Sequence, residues 1–172
     1  MQRWLGPLLV GAIVAALTYQ AALVATPRLL MTAAYNRIAA GGANRFSFGP
    51  LATDKSRAIV RPSPDLAYAS CPFDLTPGPL LINVPPVPAA YWSLSVFDAE
   101  TNVAFVRNNV ESADGPIRAA VALPGQPTPA GYPRVDVRRP RGIALVRILI
   151  EDRAVFPAID RARRQASCRL AP

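Results

Sequence analysis

The sequence predicts an all-β domain, an antiparallel β-sandwich or jelly-roll-like fold, preceded by one N-terminal transmembrane helix. Three observations carry that prediction. Residues 4–27 form a run of 24 without a formal charge. From Phe46 onward, apolar residues come in short stretches separated by Pro, Gly, Asp and Asn, the punctuation of strands and turns. The 172 residues include 19 prolines, a density that disfavours further long helices. With 51% apolar and 17% charged residues, the chain lies far from the composition of disorder, and the part beyond the apolar run is the size of one domain.

The first element is the anchor, residues 1–27. At about 1.5 Å per residue, a helix through Trp4–Pro27 reaches roughly 36 Å, enough for a hydrocarbon core of about 30 Å. Pro7 falls in its first turns, where a missing N–H is tolerated, and Trp4 and Tyr19 suit the interface. A cleaved secretory signal shares the basic start and apolar run. The uncleaved anchor is preferred because no Ala-x-Ala occurs between Ala12 and Ala25.

Residues 28–45 follow as a juxtamembrane helix and linker. Leu29, Leu30, Ala33, Ala34, Arg37 and Ile38 keep helical spacing, so the helix continues out of the membrane until Gly41 and Gly42 end it. Lying on head groups, docking on the domain, or standing as a plain stalk are all open for it.

Residues 46–172 form the β domain. Strand candidates run from Ala58 to Arg61, Leu66 to Cys71, Leu80 to Val84, Tyr91 to Phe97, Val103 to Val106, Ile117 to Leu123, Arg134 to Arg138 and Ile143 to Ile150. In the fourth, Trp92, Leu94 and Val96 point one way and Tyr91, Ser93, Ser95 and Phe97 the other, which predicts a half-buried strand. The run from Ile143 to Ile150 is apolar enough for a central strand. Residues 124–133 read as one long loop, and a closing helix is expected from about Val155 to Ala166 with Pro157 in its first turn. Strands in this number without intervening helices argue against βαβ units.

Histidine is absent, which removes Ser-His-Asp triads, Cys-His pairs and histidine-ligated metal sites. What remains for an enzyme is carboxylate chemistry, the single Lys55, or a borrowed cofactor. No glycine cluster has the spacing that cradles phosphate. No metal or cofactor is expected. Asp65, Tyr68, Asp98 and Asn102 are the candidate polar cluster, since each pair flanks a turn and two close carboxylates bind a cation or act as acid and base. The structural alternative is that both Asp side chains accept turn N–H bonds while the Tyr packs its ring.

Arg134, Arg138, Arg139, Arg141, Arg161, Arg163 and Arg164 produce most of the +8 formal charge. Solvated faces are the default, with anionic lipid head groups or acidic proteins as possible partners. Nucleic acid is not expected, because no stacking aromatics interleave with these arginines. Cys71 and Cys168, 97 positions apart, are either two buried thiols or one bridge tying the C-terminal tail to an early strand.

The stretch from Val60 to Ser70, then Phe73 to Pro79, Val84-Pro85, Tyr91 to Ser93 and Phe97 to Val103, resembles the bacterial family known as domain of unknown function 1254. Pro62, Asp65, Tyr68, Asp74, Leu75, Gly78, Pro79, Val84, Pro85, Tyr91, Asp98, Thr101 and Asn102 occupy positions that match its motifs in order and spacing. Ser63, Leu66 and Trp92 depart from its usual asparagine, threonine and second tyrosine. The resemblance implies a sandwich-like domain, exported or membrane-anchored in Gram-negative bacteria, often beside the family known as domain of unknown function 1214. It implies no reaction. It also favours a Cys71–Cys168 disulfide and an inner-membrane, single-pass location with the C-terminal domain in the periplasm. The expected function is non-catalytic, through an envelope protein partner, with a small-ligand or carboxylate-dependent enzyme as the alternative.

Overall fold

The computed structural model describes residues 4–53, 55–56 and 61–172. Its first element, α1, runs unbroken from Leu5 to Ile38 and passes through Pro27. One 18-residue window of this helix has a mean hydropathy of 2.1 and no residue buried in the protein, so it is long and apolar enough to cross a membrane. A 3-10 turn, Ala39–Gly41, ends it, and Gly42 takes a φ of 108°, a conformation that a side chain disfavours.

Among the described residues nine strands follow: β1 (Ser47–Phe48), β2 (Leu66–Asp74), β3 (Leu80–Val84), β4 (Trp92–Phe97), β5 (Val103–Asn108), β6 (Ile117–Ala122), β7 (Arg134–Asp136), β8 (Arg141–Leu149) and β9 (Ser167–Leu170), with the short helix α2 (Phe156–Arg163) between the last two. They form two sheets, ordered β1-β2-β8-β4-β5 and β7-β6-β3-β9. All pairings are antiparallel except β6 with β7. Helix makes up 30% of the described residues, so the fold is mostly β rather than all-β, because α1 is long and α2 adds to it.

One apolar cluster draws on both sheets. Ala67, Ala69, Cys71 and Phe73 of β2, Trp92, Leu94 and Val96 of β4, and Ala144, Val146 and Ile148 of β8 contribute from the first. Leu80, Ile82 and Val84 of β3 and Ala119 and Val121 of β6 contribute from the second, with Ile159 of α2. Two-residue alternation produces this set: each strand turns every other side chain inward. β4 departs from the half-buried expectation, since Ser93 and Ser95 on its other face are buried too. Small side chains between longer neighbours on a central strand are covered by those neighbours.

The candidate strand from Ala58 to Arg61 lies largely outside the described residues. The closing helix is shorter than expected and stops at Arg163, because residues 167–170 extend as β9 against β3. That strand was not foreseen. It carries Cys168 to Cys71 of β2, and the two form a disulfide with Cα atoms 6.5 Å apart, joining the two sheets. Closing a loop of this length contributes about 4 kcal/mol in the chain-entropy account. Reduction under native conditions is expected to lower Tm by about 10 °C for a domain of this size, measured by circular dichroism with and without dithiothreitol; an unchanged Tm would remove the bridge from the list of stabilising features.

Candidate functional site

The four residues of the candidate cluster fall into two pairs at opposite ends of the five-stranded sheet. At one end, Asp65 precedes β2 and is exposed, its backbone carbonyl accepting from Ile150 N–H. Tyr68 folds back, and its hydroxyl accepts the Ser63 backbone N–H at 3.0 Å. At the other end, Asp98 and Asn102 close the β4–β5 turn. The Asp98 carboxylate accepts backbone N–H bonds from Glu100 and Asn102 at 2.8 and 2.9 Å and the Asn102 amide at 2.9 Å. Thr101 sits in the left-handed region, φ 67°, within that turn.

Strand register measures the gap between the pairs. Leu66 lies opposite Leu149 on β8, and Phe97 lies opposite Ile143, six positions away. At about 3.3 Å per residue this is roughly 20 Å. The expected convergence therefore does not occur: the spacing within each motif reflects a turn, and the fold sends the turns apart. Among the described residues no three acidic or cysteine side chains gather as a metal cage.

The structure instead assembles two polar constellations that charge counting missed. The first sits where α1 meets the domain. Its residues 4–26 are exposed, whereas Pro27, Met31, Ala34, Tyr35 and Ile38 form a partly or fully buried stripe. The last three turns thus dock on the domain, which selects one of the three arrangements open from sequence. Arg28 donates to Glu100 Oε1 from Nε and Nη2 at 3.2 and 2.9 Å, and Arg139 donates to the same oxygen at 3.2 Å. Arg141 pairs with Asp74 at 3.1 Å, and its guanidinium lies 5.4 Å from the Tyr35 ring. Burial alone would raise the Asp74 carboxyl, but hydrogen bonds from Thr76 and Arg141 outweigh it and hold the group below its ordinary range.

The second is built on Arg163, read from sequence as part of a solvated face. It is 1% exposed. It donates to the carbonyls of Tyr68 and Gly49 at 2.6 and 2.8 Å and to Asp160 Oδ1 at 2.6 Å, tying α2 to β2 and to the segment after β1. Burial by itself pushes Asp160 upward, yet hydrogen bonds from Arg164 and Arg163 and their charges hold the carboxyl below its ordinary range. This is a structural site: every partner is internal.

Two sheets sharing one core, with an apolar N-terminal helix docked at one end by an arginine–glutamate clamp, define a helix-tethered, mostly β domain. The chain belongs to the family described as "Protein of unknown function (DUF1254)", which matches residues 43–170. Its fold is similar to the crystal structure of the VPA0106 protein from Vibrio parahaemolyticus, with a TM-score of 0.60 and 14% identity over 86% of this chain and 37% of that one. It is also similar to the crystal structure of an uncharacterised protein from Burkholderia cenocepacia, with a TM-score of 0.50 and 14% identity over 90% and 42%. The chain thus spans about two fifths of the length of these structures. No curated protein matches it.

Both constellations bear on acid stability. Both Asp74 and Asp160 bind protons less readily in the folded state than in the unfolded chain. Their stabilisation is complete above the unfolded carboxyl range and is lost as pH falls through the lower folded values. Tm is therefore expected to fall as pH drops from about 5 to 2. Asp160→Asn is expected to cost about 3 kcal/mol at neutral pH, because it leaves the buried Arg163 uncompensated. It also flattens the acid limb; urea melts of the variant that match wild type at both pH values would contradict the assignment.

Proposed function

We propose that the chain is a single-pass inner-membrane protein whose α1 holds a β-sandwich domain in the periplasm of a Gram-negative cell, where it acts non-catalytically through an envelope protein partner. The supporting observation is a coincidence of two independent boundaries. The charge-free run ends at Pro27, and contact between α1 and the domain begins at the same residue. A helix designed to be buried in the protein would not leave its most apolar stretch bare. The Cys71–Cys168 disulfide supports the oxidising side of that membrane.

The partner reading draws on surface, and a member of the domain of unknown function 1214 family is the candidate partner. The docking side of this domain is the edge strand β5, where Val103 and Val106 are 57% and 56% exposed, with Val110 just beyond at 76%.

Protease treatment of spheroplasts is expected to degrade the C-terminal domain while leaving a membrane-protected N-terminal fragment. A photocrosslinker at position 106 is expected to trap one discrete partner band, which identification by mass spectrometry would name. A domain protected until the cells are lysed would overturn the topology, and a ladder indistinguishable from a crosslinker on the opposite sheet would overturn the partner side.

A further inference from the structure

The outward face of the five-stranded sheet carries one charge in its middle. Beyond its first residue, Arg141, β8 is apolar on both faces except at Arg147, which is partly exposed and has no carboxylate partner among the described residues. Register places Tyr68 on one side of Arg147, Ser93 on the other, and Asn108 beyond Ser93, all on the face turned away from the core. Arg147 Nη2 donates to Ser95 Oγ at 3.1 Å. Its Nε is buried without a hydrogen-bond partner, and so is Oγ of Ser93, directly opposite. Those are the two buried side-chain polar atoms left unpartnered among the described residues, and they face each other across one strand pair.

Orphaned buried polar groups are rare because each costs the full desolvation of an unmade bond. A guanidinium cannot discharge to relieve that cost. Two such atoms side by side, one of them part of an uncompensated cation, mark a place where a complementary group is received from outside. We infer that Arg147, with the hydroxyls of Ser93 and Ser95, is a recognition site for a single carboxylate on the outward face of this sheet. The planar guanidinium fork matches a carboxylate in two parallel bonds. One charge suits a monoanion. Arg107 on the neighbouring β5 lies opposite Leu94 and so belongs to the other face, and Arg141 stands six positions down β8, paired with Asp74. Among the described strand residues of this sheet, no second unpaired cation stands on this face to meet a phosphate dianion. Val106, opposite Ser95, and Val103, opposite Phe97, are exposed on the same face, so the carboxylate's carrier is apolar.

The inference stands on the sheet alone and holds whether or not α1 crosses a bilayer. Its test is a thermal-shift titration of the full chain in detergent micelles at constant ionic strength, with benzoate, acetate and inorganic phosphate as probes, and a capped peptide bearing one Glu beside Leu as a further arm. Benzoate is expected to raise Tm in a saturable way, acetate more weakly, and phosphate no more than chloride. Arg147→Met is expected to weaken the benzoate response at least tenfold, and Arg147→Lys to recover part of it. Arg147→Met without ligand is expected to melt no lower than wild type, since it replaces an unpaired charge with an apolar side chain of similar length; this separates lost binding from lost folding. A tighter response to the peptide assigns the carboxylate to a protein side chain, and a tighter response to benzoate assigns it to a small organic acid. Equal responses in wild type and Arg147→Met, or no response to either carboxylate, would overturn the site.

Discussion

The nine-residue strand β8, hydrogen-bonded along both edges, is the constraint on which the rest of the domain depends. It lies between β2 and β4 and sets their registers at once. Because side chains alternate with a period of two, a slip of one residue would turn Val146 and Ile148 outward and Arg147 into the core. At its start Gly142 lies against Phe73, and a Cβ there would come within 2.4 Å of the Phe97 carbonyl, so the three strands approach as closely as only a glycine permits. The same strand separates the Asp65 turn from the Asp98 turn. The architecture that makes the core continuous is thus the one that keeps the candidate carboxylates apart.

The attachment of α1 follows from that strand's first residues. Arg141 and Gly142, with Ala99 from the β4–β5 turn, face Met31 and Tyr35 of the helix. The Glu100 carboxylate is shared by Arg28 and Arg139, whose side chains are about half exposed, and such pairs are worth about 1 kcal/mol or less each. Their contribution is orientation more than stability: they fix the rotation of the helix about its axis, while the buried Met31 supplies the apolar contact. A helix held in this way is a mount of fixed angle for the domain rather than a loose leash.

Much of this fold was legible in the chain. Strands with strong alternation or dense apolar runs, β3, β4, β6 and β8, stand where their patterns put them, and Gly41-Gly42 ends α1 as read. What escaped had a physical reason. β9 is four residues long, includes one arginine and one cysteine, and becomes a strand only because β3 offers an open edge and a disulfide holds it there. Arg163 carried no local mark of burial, since the two carbonyls that accept from it lie 95 and 114 positions away. The paired spacing of Asp65 with Tyr68 and Asp98 with Asn102 was a true signal of turns but could not reveal that the turns diverge. Arg147 did leave a trace: a lone charge inside the apolar run from Ile143 to Ile150 is what a half-buried strand with a functional outer face shows, and reading the run as uniformly central hid it.

The position of Arg147 relative to the mount gives the two polar features a common logic. It lies six positions along β8 from Arg141, roughly 20 Å at about 3.3 Å per residue. The helix contact occupies the beginning of the strand and leaves its latter half uncovered. An occupant of the outward face would therefore meet the sheet without displacing α1. An unpaired cation in such a place lowers stability in isolation, and a chain stabilised elsewhere by an inter-sheet disulfide and an internally satisfied Arg163 can carry that cost. The domain is most strongly tied where nothing is expected to bind, and left unsatisfied at the charged position on the outward face of its central strand's latter half.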